Sequence, residues 1–216
     1  MFDTYVFDMD GTLVDSLPDL VILTNMSLES VGYPTHDADA VRSFVGNGAE
    51  MLVRRACPAD ADPDIVAHVL STWRQLYPIY GLAHTQPFPG MLDAVRQLKA
   101  EGKNVAVVSN KFDSALKKVA QQFYPDVFEV AIGESKATPR KPDPTGLLRA
   151  VEQLGSVPER TVFVGDTHTD LQTAKNARVY SIILDWGYDT PEFYASCDCD
   201  KKISTAEELL AFSREN

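Results

Sequence analysis

Three short apolar runs in this 216-residue chain end in side chains that could do chemistry. Thr4-Tyr5-Val6-Phe7 passes into Asp8-Met9-Asp10-Gly11-Thr12, residues 104–108 pass into Ser109-Asn110-Lys111, and residues 161–164 pass into Gly165-Asp166, with Asp170 close behind. A fourth stretch, Arg140-Lys141-Pro142-Asp143-Pro144, places Lys141 in a loop ahead of a helical segment. Apolar runs without polar alternation read as strands buried on both faces of a parallel sheet, and such sheets bind ligands at the carboxyl ends of their strands. One rim can therefore collect all four stretches. Asp8, Asp10, Asp166 and Asp170 would crowd that rim, and like charges so close cannot all stay ionised without compensation. A hard divalent cation with oxygen ligands compensates them, and Mg²⁺ suits a site with few carboxylates and several waters. With that cation and Lys141 in place, the rim can accept a phosphate dianion.

The elements needed to build such a rim are legible. After residue 87 the pattern alternates: helix at Met91–Ala100, strand at 104–108, helix at 114–123, strand at 127–132, helix at 147–154, strand at 161–164, helix at 171–177, strand at 181–184 and a last helix at 204–212, with Ser204 and Glu207 spaced as a capping box. Strands separated by helices imply βαβ units, hence an α/β fold with a doubly wound parallel sheet. Between the first strand and Pro87-Phe88-Pro89-Gly90 the pattern is helical throughout, as in Leu17, Leu20, Val21, Leu23 and Thr24. The expected organisation is a core of residues 1–15 and 84–216 with an inserted all-helical cap at 16–83.

Composition narrows the partners. Lys and Arg number 20 against 31 Asp and Glu, so the net charge of -11 disfavours nucleic acid and anionic membrane surfaces. The expected partner is a small phosphorylated metabolite, held by local positive charge. The three cysteines, Cys57, Cys197 and Cys199, form no disulfide or zinc pattern. No stretch reads as a signal peptide or a membrane span, so a cytoplasmic protein is expected, as a monomer or homodimer.

Asp8-x-Asp10-Gly11-Thr12, Ser109-Asn110, Lys141 and Gly165-Asp166-x-x-x-Asp170 resemble, in order and spacing, the four motifs of the haloacid dehalogenase-like superfamily. Val45-Gly46-Asn47-Gly48, Lys141-Pro142-Asp143-Pro144 and Trp186-Gly187-Tyr188 look like its phosphoglycolate phosphatase branch. The resemblance implies a Mg²⁺-dependent phosphatase. Asp8 would be the nucleophile, forming an aspartyl-phosphate. Asp10 would protonate the leaving alcohol and then deprotonate water, touching the metal only through its backbone carbonyl. Asp8 and Asp166 would ligate Mg²⁺, and Asp170 would join them or hold metal waters or Lys141. Ser109 and the backbone N–H of Asn110 would bind phosphate oxygens, with Thr12 in the same substrate-binding set. Lys141 would screen Asp8 from the incoming dianion.

Simpler readings stand beside these. Asp170 could cap a helix, Ser109 and Asn110 could be turn residues, and Lys136 could take the place of Lys141. Gly46 and Gly48, flanking Asn47, could form a loop over the substrate or a plain turn. Arg42, Arg54 and Arg55 are candidate clamps for a carboxylate or second phosphate, or surface residues. Trp73 and Trp186 read as packing residues. The helix after Asp170 ends at Arg178, where a left-handed cap would cost about 1 kcal/mol. Rival functions are a phosphomutase on the same scaffold, a dehalogenase, against which Asp10 argues, and a non-enzymatic phospho-acceptor module.

Overall fold

The computed structural model describes all residues, Met1 to Asn216. The chain opens with β1 (Thr4–Phe7) and a two-residue strand β2 (Val14–Asp15), then enters four helices: α1 (Leu17–Glu29), α2 (Ala38–Phe44), α3 (Gly48–Ala56) and α4 (Pro63–Tyr80). It returns through β3 (Gln86–Pro87), antiparallel to β2. From there it alternates through α5 (Met91–Ala100), β4 (Asn104–Phe112), α6 (Asp113–Phe123), β5 (Val130–Glu134), α7 (Thr145–Gln153), β6 (Thr161–Gly165), α8 (His168–Ala177), β7 (Tyr180–Leu184), α9 (Pro191–Ser196), β8 (Lys201–Ile203) and α10 (Ala206–Glu215). The sheet order is β5-β4-β1-β6-β7-β8, with every neighbour parallel. This is the expected α/β architecture.

Residues of the central strand alternate between two cores. Tyr5 and Phe7 join Val105, Val107, Val162 and Val164 beneath α5 and α10. Val6 joins Ala106, Val108 and Phe163 beneath α7 and α8. All four residues of β1 are buried, so the strand reads as one apolar run rather than an alternating one. The helices α1–α4 bury a third cluster built on Leu23, Leu28, Val41, Leu52, Val69 and Trp73, which also takes in Ala115 and Tyr188 from the α/β side.

The two crossings between the sheet and the helical layer are tied together. Asp19 of α1 is fully buried. Its carboxylate accepts from the His84 N–H at 2.9 Å, the Thr85 N–H at 2.8 Å and the Thr85 hydroxyl at 2.7 Å. Those donors lie just before β3, so α1 and the returning strand are joined through one carboxylate.

Some boundaries differ from expectation. The last helix is capped one residue later than Ser204: the hydroxyl of Thr205 accepts from the Glu208 N–H at 3.3 Å, and the Glu208 carboxylate accepts from the Ser204 N–H at 2.8 Å. Ile203 still pairs with Leu184 in the sheet, which leaves Ser204 in the turn. β5 begins at Val130, because Val127 closes a turn on the Tyr124 carbonyl. The helices α6, α7 and α8 start earlier than their apolar periodicity, since their first turns are polar. Arg178 does take the left-handed cap, at φ 56° and ψ 40°.

Candidate active site

The carboxyl ends of β1, β4 and β6 converge with the loop before α7. Asp8 leaves β1 with its N–H on the Val164 carbonyl of β6. The Nζ of Lys141 lies 2.9 Å from Asp8 Oδ1 and 2.6 Å from Asp170 Oδ1. Lys136 makes no such contact and is exposed. Lys141 is itself fixed by the side chain of Asn110. The Asn110 Oδ1 accepts the Lys141 N–H at 2.7 Å, and its Nδ2 donates to the Lys141 carbonyl at 3.1 Å and to the Gly46 carbonyl at 2.9 Å. Asn110 thus joins three segments, a role that its expected backbone contact to phosphate did not foreshadow.

Asp166 is held from two sides. Its Oδ1 accepts from the Thr12 hydroxyl at 2.6 Å and its Oδ2 from the Tyr188 N–H at 2.8 Å. Thr12 therefore positions Asp166 and, fully buried, does not reach the cavity as a substrate contact. A Cβ on Gly11, whose φ is +86°, or on Gly187 would lie 2.2 Å from Asp166 atoms. Glycine at both positions lets the backbone close around that carboxylate. Asp170 is not the N-cap of α8, which is Thr167, but the third residue of its capping box, and it also holds Lys141. Its Oδ2 accepts from the Thr167 N–H at 3.0 Å and hydroxyl at 2.6 Å, completing a capping box on α8, while Oδ1 receives Lys141.

Asp10 faces another way. Its carboxylate accepts from the Ser16 hydroxyl at 2.6 Å and from Lys111 Nζ at 2.8 and 3.0 Å. The acids that gather into a potential metal cluster are Asp8, Asp166 and Asp170, with carboxylate oxygens within 4.8 Å of one another. The Asp10 carboxylate lies outside it.

Charge in this cluster is unbalanced. Burial, followed by repulsion from Asp170, raises the Asp8 carboxyl from 3.8 to about 6, although Lys141 pulls it down. Burial, then Asp170 and Asp8, push Asp166 well above the ordinary carboxylate range. Burial opposes the charge on Lys141, but Asp170 and Asp8 outweigh it and hold the ammonium above its usual value. Three buried carboxylates against one lysine form a donor set of oxygens that a divalent cation fits.

Above Asp8 lies a cavity of about 50 Å³, lined by Asp8, Asp10, Ser109, Asn110 and Lys111 below, and by Val45, Gly46, Gly48, Leu52, Trp73 and Tyr77 of the helical layer. Gly46, in the turn before α3, and Gly48, the first residue of α3, thus line the site from above. Asn47 does not line it. Its Nδ2 donates to the Thr169 hydroxyl at 3.3 Å, and its Oδ1 accepts from Arg55 at 2.6 Å. Arg42 is also absent from the site, with its exposed side chain 3.7 Å from Asp39 on the outer face of α2. Arg140 closes the edge, 2.7 Å from both Glu50 of α3 and Glu134 of β5.

Sequence reasoning passed over Thr167 and gave no role to Lys111, nor to Gly187 and Tyr188 beyond their place in a branch motif. Lys111 did carry a signal. A lysine at the end of a buried strand must find an anionic partner, because lysine is almost never buried unpaired. For Tyr188 the motif marked the position but not the role, since its contacts to Asp166, Ser16 and Leu17 are all distant in sequence.

A family model for haloacid dehalogenase-like hydrolases matches residues 5–184. The chain is 35% identical over 192 residues to a phosphoglycolate phosphatase of Pseudomonas putida, covering 85% of this chain and 70% of that one. A provisionally named phosphoglycolate phosphatase from Lactobacillus delbrueckii subsp. bulgaricus superposes with a TM-score of 0.93 at 29% identity, over 98% of both chains. A predicted phosphoglycolate phosphatase from Haemophilus somnus superposes at 0.91 and 26% identity, again over 98% of both.

Proposed function

Because the chain belongs to the haloacid dehalogenase-like hydrolases, we propose that it hydrolyses a small phosphomonoester through an aspartyl-phosphate on Asp8, with phosphoglycolate as the first substrate to test. The observation that carries this reading is which acids face the cavity. Asp8 and Asp10 line it, whereas Asp166 and Asp170 do not.

The chain's own residues divide the work. An Asp8 carboxylate oxygen attacks phosphorus, and the phosphorus–ester oxygen bond breaks. Asp10 gives the departing oxygen its proton, then takes one from the water that attacks the aspartyl-phosphate, releasing inorganic phosphate. The Ser109 hydroxyl lines the cavity beside Asp8 and offers a donor to the phosphoryl oxygens. Lys141, held by Asn110 and Asp170, keeps positive charge against Asp8. Thr12 and Tyr188 fix Asp166, which with Asp8 and the Asp10 carbonyl would hold Mg²⁺. That ion would supply charge to offset the dianion as it approaches an anionic nucleophile. The helical layer at 16–83 acts as a cap, and its seated position excludes bulk water.

The cavity size supports a short leaving group. The cavity between Asp8 and the helical layer is about 50 Å³, small among ligand pockets. The test is a panel of phosphorylated metabolites assayed for released phosphate with and without Mg²⁺. Metal-dependent release from the smallest esters is expected. Rearrangement of a sugar phosphate without phosphate release would replace this reading with the mutase.

A further inference from the structure

Resting on the phosphatase reading, we propose that Lys111, with Trp73 and Tyr77 of the cap, reads a carboxylate on the leaving group and so sets the substrate class as short phosphorylated carboxylic acids.

Three observations converge. Lys111 is the one cationic side chain lining the cavity, and it lies there almost wholly buried. Trp73 Nε1 and Tyr77 Oη, both from α4, are buried with no acceptor for their N–H and O–H, Tyr77 having only the Lys111 ammonium beside its hydroxyl, and both residues line the same cavity. Buried donors without acceptors are costly, and they are what a bound anion would satisfy. The Lys111 ammonium also lies 5.2 Å from the centre of the Tyr77 ring. A cation from the sheet side and two neutral donors from the cap therefore line one cavity together with Asp8. An ester with its phosphorus at Asp8 would direct its leaving group toward them. The remaining walls there are apolar and Lys111 is the single cation, which suits the one charge of a carboxylate better than a second phosphate dianion.

The position of Lys111 adds a consequence for catalysis. Its ammonium sits on both oxygens of Asp10, the residue assigned above to the leaving oxygen. An incoming carboxylate offers Lys111 a second anion. An ester without one leaves Lys111 on Asp10.

The test compares phosphoglycolate with ethyl phosphate, its uncharged-tail analogue, in Mg²⁺. Wild type is expected to favour phosphoglycolate in kcat/KM by about 10²-fold or more, as sites built on buried polar groups reject analogues that leave those groups unpaired. Lys111→Met should reduce that preference at least fivefold, because the losses that come only from disturbing Asp10 cancel in the ratio. Trp73→Phe and Tyr77→Phe keep the Lys111–Asp10 pair, and each should lower the preference through KM for phosphoglycolate. A preference that stays within fivefold in Lys111→Met, or unchanged in both cap variants, overturns the proposal. Turnover of both esters by wild type without preference overturns it too, while leaving the phosphatase reading intact. Failure to hydrolyse any phosphomonoester overturns both.

Discussion

Lys141→Ala is the most demanding perturbation of this site, because it strips the only lysine from a cluster of three buried carboxylates. Lys141 and its partners Asp8 and Asp170 have side chains 4%, 10% and 1% exposed, so water cannot replace the lost charge. Breaking a buried ion pair by removing one partner costs about 3–5 kcal/mol. For a chain of this length each kcal/mol lowers Tm by about 2–4 °C, which predicts a fall of roughly 6–20 °C near pH 8 in EDTA. The pH dependence follows from Asp8. Its folded value is raised to about 6 against 3.8 unfolded, so the folded state holds the proton more tightly, and stability is lost as pH rises through about 6. Lys141 limits that loss, and without it burial drives Asp8 higher still. The Tm gap between wild type and variant should therefore widen from pH 5 to pH 8, and Mg²⁺ should narrow it at pH 8. Calorimetry at the two pH values, with EDTA and with Mg²⁺, measures each part. A Tm loss below 3 °C at pH 8, or a gap independent of pH, would refute the electrostatic account of the cluster.

Asp8→Asn should lower turnover by about 10⁴-fold or more while leaving Tm equal or higher in EDTA, since a buried charge is removed; retained phosphate release would exclude Asp8 as nucleophile. Gly187→Ala places a Cβ 2.2 Å from Asp166, an overpacking that costs about 1–3 kcal/mol; Mg²⁺ affinity by calorimetric titration should fall at least tenfold. Asn110→Ala orphans the buried Lys141 N–H and frees the Gly46 carbonyl, with a stability loss of about 1–3 kcal/mol by denaturant titration and a lower kcat. An unchanged midpoint would show that the Asn110 contacts carry no stability.

Much of the architecture was visible because the sheet strands are short, apolar and double-faced. The central strand is Thr-Tyr-Val-Phe and β6 is Thr-Val-Phe-Val-Gly, and neither needs a partner to be recognised. β8 was invisible for the opposite reason. Lys201-Lys202-Ile203 is an edge strand, and edges carry lysines that blunt further pairing. β2 and β3 are two residues each and exist through their mutual pairing, which no local pattern announces. The same division runs through the site. Asp8, Asp166, Asp170 and Lys141 were legible because their residue types answer a local chemical question. The supports were not, since Asn110 reaches Lys141 and Gly46, and Tyr188 reaches Asp166 and α1, across long stretches of chain. Arg42 misled because arginine chemistry fits an anion wherever the residue stands, and only the fold shows that α2 turns it outward.

The buried carboxylate of Asp19 has a practical meaning for anyone recombining such proteins. It rivets the outgoing and incoming strands of the insert at a single point, so a transplanted helical layer must bring its own aspartate, or its recipient must supply a hydrophobic substitute for the whole knot. A chimera that grafts only the visible lid residues, and leaves that rivet without its counterpart at Thr85, would inherit the lid's walls but not its axis.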